Sequence, residues 1–237
     1  MNDSWNKIIP TLFNPFQKHD TCDVQLVCVN HDETIFHCHS MILRCCGMPE
    51  PVSNKIILKG ISVLALQNVL GNVYGQDKIW HCKSINDILS VWEVCQQLQL
   101  QRQLNSLQAY SQKLLDKCDT KTKIQWIESL NFYNNDKMNK FLEFLDINTY
   151  FNADCWSHKY ITRVAPWLIL LILKTPKLCL SKDEIWIVCA TISHHVASQN
   201  KYIEWKDQMK LFDDVIDVAR MSVNLCIDNI AKQPTNK

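Results

Sequence analysis

Twelve cysteines and eight histidines supply this 237-residue chain with many candidate ligands and nucleophiles. Four places bring them side by side: His37-Cys38-His39, Cys45-Cys46, His81-Cys82 and His194-His195. A zinc site asks for C-x2-C pairs, or a cysteine pair followed by two histidines three to five residues apart, because those spacings let side chains converge on one ion. Neither spacing occurs here. Adjacent ligands on a helix point to different faces, so no metal is expected. A nucleophilic cysteine needs a helix N-terminus or a cation beside it, and a base held by a third group. Cys45 next to Arg44 is the nearest approach, and it carries no such motif. Only four glycines are present, where average usage would give roughly 17. No glycine-rich phosphate cradle is therefore available. The expectation is a protein without catalysis and without a cofactor.

Charge and composition narrow the partners. The first 110 residues carry 8 basic and 9 acidic side chains, the remainder 17 and 15. Neither part is the basic surface that a phosphate backbone selects, so nucleic acid is not expected. The longest apolar run, Val164 to Leu173, lies between Arg163 and Lys174 and contains Pro166. It falls short of the about 20 residues that cross a bilayer, so it reads as a buried helix and no membrane is expected. The start, Met1-Asn-Asp-Ser-Trp-Asn-Lys, shows no secretory leader. The cysteines sit mostly in apolar runs, as Cys28 and Cys189 do, where a thiol packs as a small hydrophobe. A reduced, intracellular protein follows, in cytoplasm or nucleus. At 47% hydrophobic the chain is globular in composition.

The elements that must position these residues change character along the chain. Asp23-Val-Gln-Leu-Val-Cys-Val29 is apolar on both alternating faces, as in a well-buried strand. Asn30-His-Asp-Glu33 is a turn and Thr34-Ile-Phe-His-Cys38 a second strand, giving a hairpin. Ile56-Ile-Leu58 is a third. Helices follow. Ser62 caps one with Val63, Leu66, Leu70 and Val73 on its face. Ile88, Val91, Trp92, Cys95 and Leu98 form a second stripe, extended through Leu104 and Leu107. Beyond residue 110 only helical stripes remain. One is Met138, Phe141, Leu142 and Leu145. Another opens at the capping box Ser181-Lys-Asp-Glu184 and places Ile185, Val188, Cys189, Ile192 and Val196 on one face. Phe212, Val215, Ile216, Ala219, Val223 and Cys226 make the last. The back-half tryptophans, Trp126, Trp156, Trp167, Trp186 and Trp205, fall on apolar faces and are expected in cores. The joint between the α+β front and the helical back is expected near Ser111–Lys121.

The order and spacing of the front elements resemble a BTB/POZ domain. The residues that carry the likeness are Asp23-Val-Gln-Leu-Val, Phe36-His-Cys-His39-Ser-Met-Ile-Leu43, Ile56-Ile-Leu58 and Leu70-Gly-Asn-Val-Tyr74-Gly75. Residues 85–104 are similar to the next helices of that family. The back half resembles the BACK domain that commonly follows, most clearly at Leu178-Cys-Leu-Ser-Lys-Asp-Glu184-Ile-Trp-Ile. The chain departs from the pattern between Leu43 and Ile56, where Arg44-Cys-Cys-Gly47-Met-Pro49 replaces roughly two turns of helix. It also shows no kelch-like repeats of four short strands.

The resemblance implies an α+β BTB/POZ domain over 1–110, a small mostly antiparallel sheet flanked by helices, and an all-α BACK-like domain over 111–237. Its implied function is protein–protein interaction, as a dimeric adaptor that binds a cullin-3 type scaffold and brings an unidentified substrate protein to a ubiquitin ligase. The family's cullin signature, apolar-x-Glu before the third strand, falls on Met48 and Glu50, with Met48 inserting into an apolar pocket. The dimer face falls on the apolar stripe with Trp5, Ile8, Leu12 and Phe13. It also takes in Asp23 and His39, which would lie near one another as a buried charge or hydrogen-bonded pair. The alternative is a scaffold or decoy that pairs with itself or with other BTB proteins and recruits no cullin.

Overall fold

The computed structural model describes residues 21–29, 33–75, 80–133, 135–146, 155, 158–174, 180–200, 202, 204–213 and 215. Trp5, Ile8, Leu12, Phe13 and Trp156, the turn at 30–32 and the stripe beyond Val215 lie outside the described residues. The chain divides into two compact units, Met1–Leu114 and Leu115–Lys237. The first is α+β and the second helical among the described residues.

Strands β1 (Val24–Val29), β2 (Glu33–Cys38) and β3 (Lys55–Lys59) form one sheet in the order β2-β1-β3. The hairpin β1–β2 is antiparallel, with Val24 opposite Cys38 and Val27 opposite Ile35. β3 runs parallel to β1, with Val27 opposite Ile57. The sheet is therefore mixed rather than mostly antiparallel. The chain leaves β2, turns through helix α1 (Ser40–Cys45) and crosses over β1, a connection that delivers β3 in the direction of β1. Pleating sorts the side chains. Val24, Leu26, Cys28, Phe36, Cys38 and Leu58 face inward and are buried. β1 is not buried on both faces throughout: Val27 is, but Val29 is 47% exposed.

Helix α2 (Val63–Val73) buries Ala65, Leu66, Val69, Leu70 and Val73. Ser62 stands at its N-cap without making the side-chain bond expected of it. Helix α3 (Ile85–Gln97) has a complete capping box instead, Ser84 Oγ accepting from the Asp87 N–H and Asp87 from the Ser84 N–H. The apolar stripe that continues from Val91 through Leu107 does not lie on one helix. α3 stops at Gln97 and α4 (Gln101–Lys117) begins anew. Between them Gln99 adopts φ +54, its N–H donates to the Gln96 carbonyl, and the Leu100 N–H returns to the Cys95 carbonyl. This is a Schellman ending with glutamine where glycine is usual. Burying both Leu98 and Leu100 holds the left-handed residue in place.

The expected joint is mostly helix. α4 runs to Lys117, Ser111 is fully buried with its hydroxyl on the Leu107 carbonyl, and only Cys118 and Asp119 separate α4 from α5 (Thr120–Ser129). Asp119 caps α5 through the Thr122 N–H at 2.8 Å. In the second unit α6 (Asn135–Leu145) buries Met138, Phe141, Leu142 and Leu145, as their spacing predicts. Short α7 (His158–Ile161) precedes α8 (Pro166–Lys174), which starts on a proline, where a missing N–H costs nothing. Leu168, Ile169, Ile172 and Leu173 make its buried side. The Ser181–Glu184 box opens α9 (Lys182–Gln199) as expected. Its middle, Val188 to Ser193, is buried on every face rather than one. Ser193 is accommodated there by donating to the Cys189 carbonyl at 2.8 Å. Trp126, Trp167, Trp186 and Trp205 are half-buried rather than interior.

Candidate functional site

The polar residues of the first unit meet where β1 begins, β2 ends and α1 starts. His39 is the N-cap residue of α1 and makes no capping bond with its own side chain. It is only 9% exposed. A helix start still needs acceptors for its free N–H groups, and Asp23 supplies them from the adjacent chain. Its Oδ1 accepts the Ser40 N–H at 2.7 Å and its Oδ2 accepts the Ser40 hydroxyl. Burial of itself raises the Asp23 carboxyl, but the Ser40 hydroxyl and N–H and the neighbouring His39 ring outweigh it and hold it below the ordinary carboxylate value.

His39 turns inward and becomes a hub. Its backbone N–H donates to the Tyr74 hydroxyl at 2.8 Å, and its Nδ1 lies 3.0 Å from the same oxygen. Nε2 lies 2.8 Å from Thr21 Oγ1 and 3.9 Å from Cys22 Sγ. The Tyr74 hydroxyl also reaches the Cys38 thiol. Burial pushes that thiol up to about 12 and carries the Tyr74 hydroxyl above its ordinary value, so both stay protonated at neutral pH. Asp23 and His39 thus do lie close together, but not as a buried pair. Asp23 is exposed and holds Ser40, whereas His39 is interior and holds Tyr74. Tyr74 could be read from the sequence only as a helix-end residue. Its role as the partner of a histidine 35 residues away has no local signal.

Met48 and Glu50 part company. Gly47 has φ +110, and a Cβ there would stand 3.1 Å from the Gln101 backbone nitrogen and 3.3 Å from the Gln99 carbonyl oxygen. This close approach seats the segment on the start of α4, where the Arg102 N–H donates to the Cys46 carbonyl and Gln103 Nε2 to the Cys46 thiol. The Met48 N–H then returns to the Leu43 carbonyl at 3.2 Å, and its side chain is 5% exposed. Met48 is a core residue of this unit, contrary to the expectation that it is offered to a pocket on a partner. Glu50 remains in solvent, 3.4 Å from Arg44.

The outer face of the sheet carries one apolar row among polar neighbours. Ile35, Val27 and Ile57 stand in one row across three strands, with Val29 in the next row. Ile35 is 41% exposed and Ile57 54%. Glu33 and Lys55, from opposite corners of this face, pair at 3.2 Å. Val27, between the two isoleucines, is fully buried.

In the second unit a narrow cavity is lined by Ile124, Ile127, Ile161, Val164, Ile169, Ile172 and the buried Cys155, a wall with no converging polar groups. On α9 the His194 ring stacks on Trp205 of α10 (Trp205–Met209), centroids 4.7 Å apart and planes at 14°. Its Nε2 is buried and finds no hydrogen-bond partner among the described residues. Burial holds its pKa below the ordinary histidine value.

No group of three or more His, Cys, Asp or Glu side chains among the described residues is arranged to hold a metal ion. The neighbouring ligands diverge, with Cys45 exposed and Cys46 buried. No described helix is long and apolar enough to cross a membrane. No protein-family model matches the chain, and no curated protein matches it.

Proposed function

We propose that this chain is a protein–protein interaction module, a dimeric BTB-BACK adaptor that binds a cullin-3 type scaffold on behalf of an unidentified substrate protein. The specific form of this reading comes from the order of the front elements in the sequence. The observation that carries its core, binding to other polypeptides, is the apolar outer face of the sheet. Ile35, Ile57 and Val29 keep apolar surface in water beside the Glu33–Lys55 pair, a mixture of apolar and charged groups that suits a docking surface.

A second reading is favoured by the burial of Met48. With its apolar member inside the unit, the apolar-x-Glu signature presents only Glu50. This supports a scaffold or decoy that pairs with itself or other BTB proteins without a cullin.

Sedimentation of the whole chain, combined with capture on an immobilised cullin-3 N-terminal domain, tests both. The adaptor gives a dimer mass and retention on the cullin domain. The decoy gives the dimer mass alone. A monomer that is not retained overturns the interaction reading in both forms. Ile35→Lys with Ile57→Lys should abolish whichever association is seen. Because both positions face solvent, unfolding should shift by no more than about 0.5 kcal/mol each.

A further inference from the structure

We propose that the free edge of β2 is a strand-addition site whose occupant is β2 of a second copy of this chain, laid antiparallel with Ile35 on the two-fold axis. Such pairing rests on the reading of the chain as an interaction module and gives that module one partner in one register. β2 is an outer strand of the sheet, and among the described residues no strand pairs with its far side. The Gln25 N–H donates to the Asn54 carbonyl at 2.7 Å, so the backbone groups of Gln25, Val27 and Val29 turn toward β3 and those of the residues between them toward β2. Those residues, Val24, Leu26 and Cys28, stand opposite Cys38, Phe36 and Thr34. The backbone groups of Glu33, Ile35 and His37 are therefore the ones that point out of the sheet. Their side chains lie on its outer face, Glu33 and Ile35 exposed and His37 half-buried.

One register satisfies backbone and side chains together. With Ile35 opposite Ile35 of the second copy, Glu33 faces His37 and His37 faces Glu33, and each of these pairs exchanges two N–H···O=C bonds. Directly opposed residues share a face. The apolar row of Ile57, Val27 and Ile35 thus runs on into the same row of the second copy, and a carboxylate meets an imidazole on either side of it. Glu33 holds Lys55 through Oε1 and keeps half of its side chain in water, which leaves it open to the second contact. The neighbouring registers set Ile35 opposite Glu33 or His37. The other edge of the sheet is guarded. A second β3 laid antiparallel about Ile57 sets Lys55 opposite Lys59, both exposed, and lysines on an edge strand discourage pairing.

Hydrogen exchange of the whole chain, read amide by amide over a dilution series with the solution mass taken at each concentration, is the test. Dimer formation should slow the Ile35 and His37 amides about tenfold, well beyond any change at Thr34 and Phe36, which are already bonded to β1. A dimer whose edge amides keep their dilute rate overturns this pairing and leaves the module reading standing. So does a monomer retained on the cullin domain, whereas a monomer that is not retained overturns both. Edge amides already slow in a monomeric sample mark an edge filled within one chain. Slowing that needs the cullin domain assigns the edge to a foreign strand. Either overturns the second copy. Ile35→Lys should dissociate the dimer, and Ile57→Lys, two strands from the axis, should leave it intact. Equal loss in the two marks a partner over the face instead of along the edge and overturns the pairing. His37→Glu opposes Glu33 of the second copy and should weaken the dimer about fivefold, while His37→Lys should hold it; the reverse order overturns the register. Should a variant fail to fold, exchange in the parent chain still decides.

Discussion

At the scale of single residues, the first unit depends on side chains that serve elements other than their own. Asp23 caps a helix it does not belong to. Asp23→Ala should cost about 1 kcal/mol, the usual worth of a helix cap, read by urea unfolding at pH 7. Because the folded-state carboxyl sits below its ordinary value, its charge contributes stability above about pH 4 that is lost as pH falls further. The gap between parent and variant should therefore narrow in acid. His194 acts in the same direction but nearer neutrality. Its folded pKa lies below the ordinary 6.5, so the unfolded chain binds its proton first and stability falls as pH drops below about 6.5. His194→Phe keeps a ring against Trp205 and removes this titration. Its stability relative to the parent should rise between pH 7.5 and pH 5. At this scale the sequence marked Asp23 and His39 as polar positions of interest, but it could not say whom they hold. Ser40, Tyr74 and Thr21 are common residue types in unremarkable local settings, and only folding brings them to the hub.

At the scale of elements, strand and cap chemistry were the readable parts. Short runs of β-branched and apolar residues set β1 and β2, and Ser181 with Glu184 announces α9 because both partners of the box lie in one turn. The break between α3 and α4 was hidden, since the stripe keeps its period across it and Gln99 gives none of the warning that glycine would. The seating of residues 46–48 was half visible. Gly47 signals a chain reversal, yet its second requirement, room against the Gln101 backbone, depends on an element more than 50 residues on. Gly47→Ala meets both obstacles, a positive φ and a 3.1 Å backbone contact. It should destabilise the chain by about 2 kcal/mol, measured by thermal unfolding. Because Met48 is carried by the same turn, the variant should also make Met48 more susceptible to peroxide oxidation.

At the scale of the whole molecule, two compact units divide the chain between a mixed sheet and a set of helices. The open apolar face of that sheet is where a partner's contribution is expected, and solution mass is the measurement that bears on it. The capping of α1 from β1 also has a consequence for how the first unit comes apart. A helix of six residues is far too short to persist alone, and the carboxylate that steadies its first turn belongs to the strand hairpin. The Ser40 amide is consequently a native gauge of hairpin closure. In hydrogen–deuterium exchange its protection should track that of the β1 amides paired with β2, and Asp23→Ala should uncouple the two.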